Sequence, residues 1–415
     1  MNLYGIIILG ALVISYALDL AATILNLRTL DNPLPQEFRE IYDPAAYRKS
    51  QDYTKTKSTF GIVTAAFNFA LTLVFWFAHG FEWTDEIVRS WNLPPILSGL
   101  AYIGILLAAR TILSLPFSIY STFIIEQRFG FNTTTVKTFV LDLVKGLGLG
   151  ILLGGPLIAG ILWFLTYAGS FAWLYCWLAV TAFTLVMQYV APIWIMPLFN
   201  KFNPLEEGEL RRAVLAMAKS IGFPLEGIYV MDGSKRSKKT NAFFTGFGKS
   251  RRIALFDTLI AKHTVEELVG VLAHEIGHYK RKHIIRMTAA GILETGLTFF
   301  LLSIFISRPE LSSAFYMQHV SVYAGLIFFG MLYAPLGFVL SSLTQILSRK
   351  HEFEADRFAV ETTRKPADMI EALKKLSLDN LSHLTPHPLY VWLNYSHPPV
   401  LERISAIRAF ERSGA

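Results

Sequence analysis

The chain has 415 residues, of which 53% are apolar and only 17% charged, where an ordinary soluble domain carries about a quarter, and its mean hydropathy is +0.42. This is the composition of an integral membrane protein, so the net charge of +7 reads as Lys and Arg retained in membrane-protein loops and gives no case for a nucleic-acid partner. The single cysteine, Cys176, excludes an internal disulfide and any cysteine-based metal site, and its apolar surroundings mark it as a buried side chain.

The first apolar stretch, roughly 3–27, has no basic region ahead of it and no clear small-x-small cleavage site. It therefore reads as a retained spanning helix and not as a removed signal peptide. Six more stretches approach the 20 apolar residues that a crossing needs: roughly 59–78, 96–115, 147–167, 171–196, 287–307 and 320–347. The fourth and fifth are joined only by Ala168-Gly169-Ser170, a tight hairpin. Lys and Arg alternate between the loops, with six after the first span, one (Arg89) after the second, and none in the hairpin. Sixteen follow the fifth span, one (Arg308) the sixth, and ten lie in the tail. That alternation predicts seven crossings with the N-terminus outside and the C-terminus cytoplasmic. Asp19, Arg110 and Glu294 fall inside or near the ends of spans. Snorkelling to the interface covers Arg110, whereas Asp19 and Glu294 raise the reading of an internal hydrated space.

The spans divide the chain into 1–196, a polar insert at 197–286, a pair of spans at 287–347 and a cytoplasmic segment at 348–415. In the insert, "EEGELRRAVLAMAKSIG" predicts an amphipathic helix ended at Gly222. "IYVMD", "NAFFTGFG" and "RRIALFDTLI" predict three short strands. The stretch from Asn241 to Gly246 is a candidate edge strand for pairing with an extended peptide, with Asn241 and Ala242 as the substrate contacts, or else a plain hairpin strand. The basic cluster from Lys235 to Lys239 reads as a solvated turn or a lipid-headgroup contact. Thr264 with Glu267 three residues on is a capping-box signature for the next helix.

That helix carries His274-Glu275-Ile276-Gly277-His278. Two histidines four apart share one helical face, so two imidazoles bind one zinc ion. Glu275 points about 100° further round, towards water at the metal, where a carboxylate acts as general base. A catalytic zinc takes three protein ligands and keeps one position open. "HEFEAD" offers His351, Glu352, Glu354 and Asp356 for the third, and spacing alone does not choose among them. On a helix Glu352 and Asp356 share a face, which suits one ligand and one partner for a histidine N–H. His397, before Pro398-Pro399, is either a turn residue or a donor to the oxyanion of the reaction; Arg403 is either its support or a surface charge. His263, His283, His351, His383 and His387 otherwise read as surface or packing residues.

"HEIGH" after the fifth span, "HEFEAD" after the seventh, "NAFFTGFGKSRRIALFDTL" and "NYSHPPVLERI" together resemble the type I CAAX prenyl endopeptidases, integral-membrane zinc metalloproteases of the gluzincin kind. The family-like string ERFGFN stands at Glu126 to Asn132 with Gln127 inserted. The likeness runs from the first loop to the end. It implies one zinc per chain held by His274, His278 and Glu352, with Asp356 behind the ligands and catalytic roles for Glu275 and His397. It also implies a mainly α fold: a seven-helix transmembrane bundle enclosing a chamber, with a cytoplasmic α+β zinc metalloprotease domain. The expected substrate is a peptide or membrane protein, in the family a C-terminally prenylated one cut after the modified cysteine, and the expected setting is the lipid bilayer. That bilayer would be the plasma membrane of a bacterium or the endoplasmic reticulum of a eukaryote. A membrane-protein quality-control protease without prenyl substrates is the alternative. A non-enzymatic zinc protein is the rival of another class, and Glu275 argues against it, since a four-ligand structural zinc has no use for that residue.

Overall fold

The computed structural model describes residues 1–223, 225, 227–245 and 252–413. Among the described residues seven helices are long and apolar enough to cross a bilayer: Leu3–Asp31, Pro44–Phe77, Pro95–Glu126, Val136–Tyr167, Gly169–Phe199, His283–Phe305 and Val322–Thr363. Three run well past their apolar cores. The second starts at Pro44, capped by the Asp43 carboxylate on the Ala46 N–H at 2.7 Å, and its polar first turns pack against the polar insert and the C-terminal segment. The fourth starts at Val136 because the charges that broke its apolar run have partners: Asp142 pairs with Arg236, and Lys145 donates to the Leu198 carbonyl at 2.7 Å. The seventh holds 42 residues, about 63 Å of helix against a hydrocarbon core of about 30 Å. Its last third therefore stands outside the lipid.

Burial sits at the two ends of the spans. The first helix buries Gly5 and Ile8, then nothing before Ala22; the second buries Tyr53, then nothing before Trp76. The sixth buries His283, then nothing before Phe299. A solid bundle would bury a stripe along every helix. Here one core joins Ile8, Trp76, Phe81, Tyr102, Leu302, Phe315 and Phe328, and another joins the polar insert to the C-terminal segment. Between those ends the helices touch at points, as where Tyr16 stacks on Phe69 and Trp177 Nε1 donates to the Ile292 carbonyl at 2.8 Å, and they are buried little, as helices around an interior space would be. Asp19 lines a cavity of about 240 Å³ with Tyr16, Thr23, Lys57, Tyr390 and Asn394, so its charge faces polar company inside the assembly.

The insert forms a four-stranded sheet, β1 Phe202–Pro204, β2 Gly227–Met231, β3 Ala242–Thr245 and β4 Arg252–Phe256, in the order β1-β2-β4-β3. β2 and β4 run parallel, and the outer pairings are antiparallel. β1 was not expected, because Phe-Asn-Pro is too short to alternate. The helix Glu209–Ser220 forms as predicted and stops where Gly222 takes φ +57°, a conformation open to glycine. Val214, Ile253, Leu255, Leu268, Leu272 and Ile276 fill the core beneath the sheet.

The basic cluster before β3 is a tether, not a solvated turn. Arg236 makes two bonds to Asp142, at 2.7 and 2.8 Å, and one to the Phe199 carbonyl at 2.9 Å. Lys239 reaches Glu126 at 3.0 Å and the Tyr53 hydroxyl at 2.6 Å. These contacts fasten the sheet to the second, third and fourth spans.

Candidate metal centre

The helix Val265–Lys280 opens with the expected capping box: Thr264 Oγ1 accepts from the Glu267 N–H at 3.3 Å, and Glu267 Oε2 accepts from the Thr264 N–H at 3.2 Å. Leu268, Leu272, Ala273 and Ile276 anchor its inner face. Its neighbour is the extra-membrane end of the long helix Val322–Thr363, and the approach is close at Gly277. A Cβ there would lie 3.2 Å from Ala355 Cα and 3.1 Å from Phe358 Cδ1. Glycine lets the two motif helices touch, and that contact brings Glu352 beside the two histidines.

Among the described residues His274, His278 and Glu352 are the one group of three side chains placed to hold a metal ion, with ligand atoms within 4.8 Å of one another. The Nε2 atoms of the histidines are 3.1 Å apart, and they lie 3.5 and 3.2 Å from the Glu352 oxygens. Zinc bonds of about 2.0–2.1 Å in a tetrahedron separate ligand atoms by roughly 3.3–3.4 Å. The spacing of the two imidazole nitrogens is close to such an edge, and each nitrogen has a Glu352 oxygen at a similar distance, Oε2 for His274 and Oε1 for His278. Glu352 Oε2 is buried without a hydrogen-bond partner, a lack that a cation would fill. Of the four side chains left open by spacing, the structure brings Glu352 to the histidines.

Asp356, 1% exposed, accepts from His274 Nδ1 at 2.8 Å. In the neutral imidazole this leaves the Nε2 lone pair turned towards the ligand group. Arg403 grips Asp356 through Nε and Nη2 at 2.7 and 2.5 Å and places Nη1 3.4 Å from Glu352. It is thus a buried brace for two carboxylates, deeper than a surface charge on the last helix. Burial pushes the His274 imidazole down, but Asp356 and Glu352 outweigh it and lift its pKa to about 9. Burial also works against the Arg403 charge, and Asp356 and Glu352 more than offset it.

His397 comes within 3.4 Å of Glu352 while its side chain stays 65% exposed, and its Nδ1 shares a hydrogen at 2.9 Å with Ser396 Oγ. Together with Arg403, Asn380, His383 and Tyr395 it lines a cleft of about 510 Å³. Glu275 follows His274 on the same helix and is partly exposed. β3 is the edge of the sheet and lies against the helix Val265–Lys280. The Asn241 carbonyl accepts from Phe256, so by the two-residue period the backbone groups of Ala242 face the free edge. The Ala242 N–H is held there by Asn241 Oδ1 at 2.9 Å. Gly246, the end of the expected edge strand, lies outside the described residues.

Two histidines read from sequence as surface or packing residues belong to this centre. His283 is 2% exposed, with Nδ1 at 3.0 Å from His278 Nδ1 and Nε2 at 2.9 Å from Glu354 Oε2. The His351 ring stacks on it at 4.0 Å. The available signal was position: His283 stands just past the end of the HEIGH helix, where Lys282 at φ +59° turns the chain back.

Comparison with known proteins matches residues 23–201 to the family model described as CAAX prenyl protease N-terminal, five membrane helices, and residues 204–411 to peptidase family M48. CAAX prenyl protease 1 of Saccharomyces cerevisiae is 34% identical over 407 residues, covering 91% of this chain and 89% of that protein. The CAAX prenyl protease 1 homolog of Oryza sativa is 36% identical over 409 residues, covering 96% of each. The crystal structure of S. mikatae Ste24p superposes with a TM-score of 0.93 at 31% identity, over 98% of this chain and 99% of that one.

Proposed function

Because the chain belongs to peptidase family M48, with the five-helix N-terminal region of the CAAX prenyl proteases, we propose that its substrates are prenylated peptides with a C-terminal CAAX sequence, cut after the modified cysteine. The chain is a membrane zinc metalloendopeptidase. The observation that carries the assignment of its centre is the convergence of His274, His278 and Glu352, whose ligand atoms lie within 4.8 Å of one another. When bound, the ion lowers the pKa of water and polarises a substrate carbonyl. Every other task falls to side chains and backbone. The free edge of β3, where the backbone groups of Ala242 face outwards beside the Asn241 side chain, pairs with the extended peptide and fixes the register of the scissile bond. Glu275 takes a proton from the water that attacks the carbonyl carbon, then delivers it to the amine as the C–N bond breaks. His397, exposed in the cleft beside the ligands, donates a hydrogen bond to the carbonyl oxygen as charge develops there. Asp356 and Arg403 hold His274 and Glu352 in place. The Lys and Arg distribution supports an outside N-terminus, with the catalytic segment and C-terminus on the cytoplasmic side.

The test is cleavage of a farnesylated CAAX peptide by purified protein, with zinc content measured for each variant. Glu275→Gln is expected to keep zinc and lose about 10²–10⁴-fold in kcat. His397→Ala is expected to keep zinc and lose about 10²-fold. Wild-type cleavage of unprenylated membrane peptides, with prenylated ones untouched, would sink the substrate assignment while leaving the protease intact.

A further inference from the structure

Each histidine ligand has its own backing. Behind His274 stand Asp356 and Arg403. Behind His278 stands His283, and behind that Glu354 on the long helix, with Arg286 3.6 Å further on. The proton positions in the second chain follow from its far end. The Glu354 carboxylate only accepts, so His283 Nε2 carries a hydrogen. His283 and His278 face each other Nδ1 to Nδ1 at 3.0 Å, so one of the two supplies the hydrogen and the other the lone pair. Were it on His283, His278 would turn a bare Nδ1 to it and carry its own hydrogen on Nε2, pointing into the ligand group. Only a hydrogen on His278 Nδ1 leaves Nε2 free to ligate.

We infer that His283, oriented by Glu354, is a positioning residue that holds His278 in its ligating tautomer. The surroundings suit the task. His283 is buried, and its ring is clamped against His351 at an interplanar angle of 10°. It starts the sixth span directly after the reversal at Lys282, so the membrane helix and the metal ligand are joined through one hydrogen bond. The inference rests on His278 being a zinc ligand.

The experiment compares wild type, His283→Leu and His283→Asn in detergent, each folded by thermal melt. It reads release of zinc to a chromophoric chelator and the visible spectrum of the cobalt-substituted protein, neither of which depends on substrate. The leucine fills the space without accepting a hydrogen bond, and is expected to release zinc roughly 10–100-fold faster with altered cobalt bands. The asparagine presents an oxygen near the Nδ1 position and is expected to restore retention to within about threefold of wild type. Wild-type release and spectrum in the leucine variant would overturn the inference, as would an asparagine variant as leaky as leucine, which would reduce His283 to packing. Should the leucine variant fail to fold, Glu354→Ala carries the test, since that side chain is 31% exposed. Faster zinc release is expected from it, and unchanged release overturns the inference. A wild-type protein without stoichiometric zinc would sink the metal reading itself, a result distinct from both.

Discussion

At His274 two demands meet. The imidazole must be neutral to ligate, yet Asp356 and Glu352 hold its pKa up at about 9. A cation arriving at Nε2 therefore displaces a proton at neutral pH, and below that pKa the proton competes. Zinc affinity should rise as pH rises, by about tenfold per unit if one proton leaves, and should level off near pH 9. Chelator competition between pH 6 and 8 checks the slope; a flat profile would mean that His274 is already neutral there. The sequence made the two histidines and Glu275 legible, because a one-turn spacing on a capped helix has few other uses. It left Glu352 among four side chains until the family resemblance chose it, because a third ligand from a distant helix obeys no local spacing. Arg403 and His283 were harder to read. Their importance lies in what they touch across the fold, at Asp356 and His278, and neither separation in sequence carries a periodicity.

Between elements, the contact of the HEIGH helix with the long helix sets the centre, and Gly277 is its tightest point. Gly277→Val would press a branched side chain against Ala355 and Phe358, a clash worth about 1–3 kcal/mol of stability, or a shift of the helices instead. Either outcome should lower zinc retention more than it lowers overall helicity by circular dichroism. A variant with full zinc and wild-type melting would show that the helices have room to spare. Helix Val265–Lys280 was readable from its cap, and β2, β3 and β4 from their composition. The early starts of the second and fourth spans were not, since a hydropathy window stops at charges whether or not distant residues such as Arg236 neutralise them.

Among the described residues the molecule has two large cores, a small cluster around Tyr53 and Phe129, and a poorly buried middle. Hydropathy marks where helices cross but not whether they touch, so of the charged residues in the spans Asp19 was the one whose position in a cavity the sequence foreshadowed. A hydrated space predicts that Asp19→Cys reacts with a membrane-impermeant maleimide in liposomes, and the fully buried Cys176 should add no background. An unreactive cysteine at that position would argue for a closed, dry interior. The seventh helix joins this space to the chemistry without a break. It packs at Phe328 in the far core and carries Glu352 at its other end, about 36 Å away along a helix that has Pro335 between them. A tilt of about 3° at such a fulcrum carries the carboxylate about 2 Å, as long as a zinc–oxygen bond. Spanning helices change tilt with the thickness of their lipid. Peptide cleavage should therefore pass through an optimum as acyl chains in liposomes are lengthened, whereas uniform rates would mean that the rod is held fast. Such an optimum would make lipid thickness an adjusting screw for the reach of Glu352.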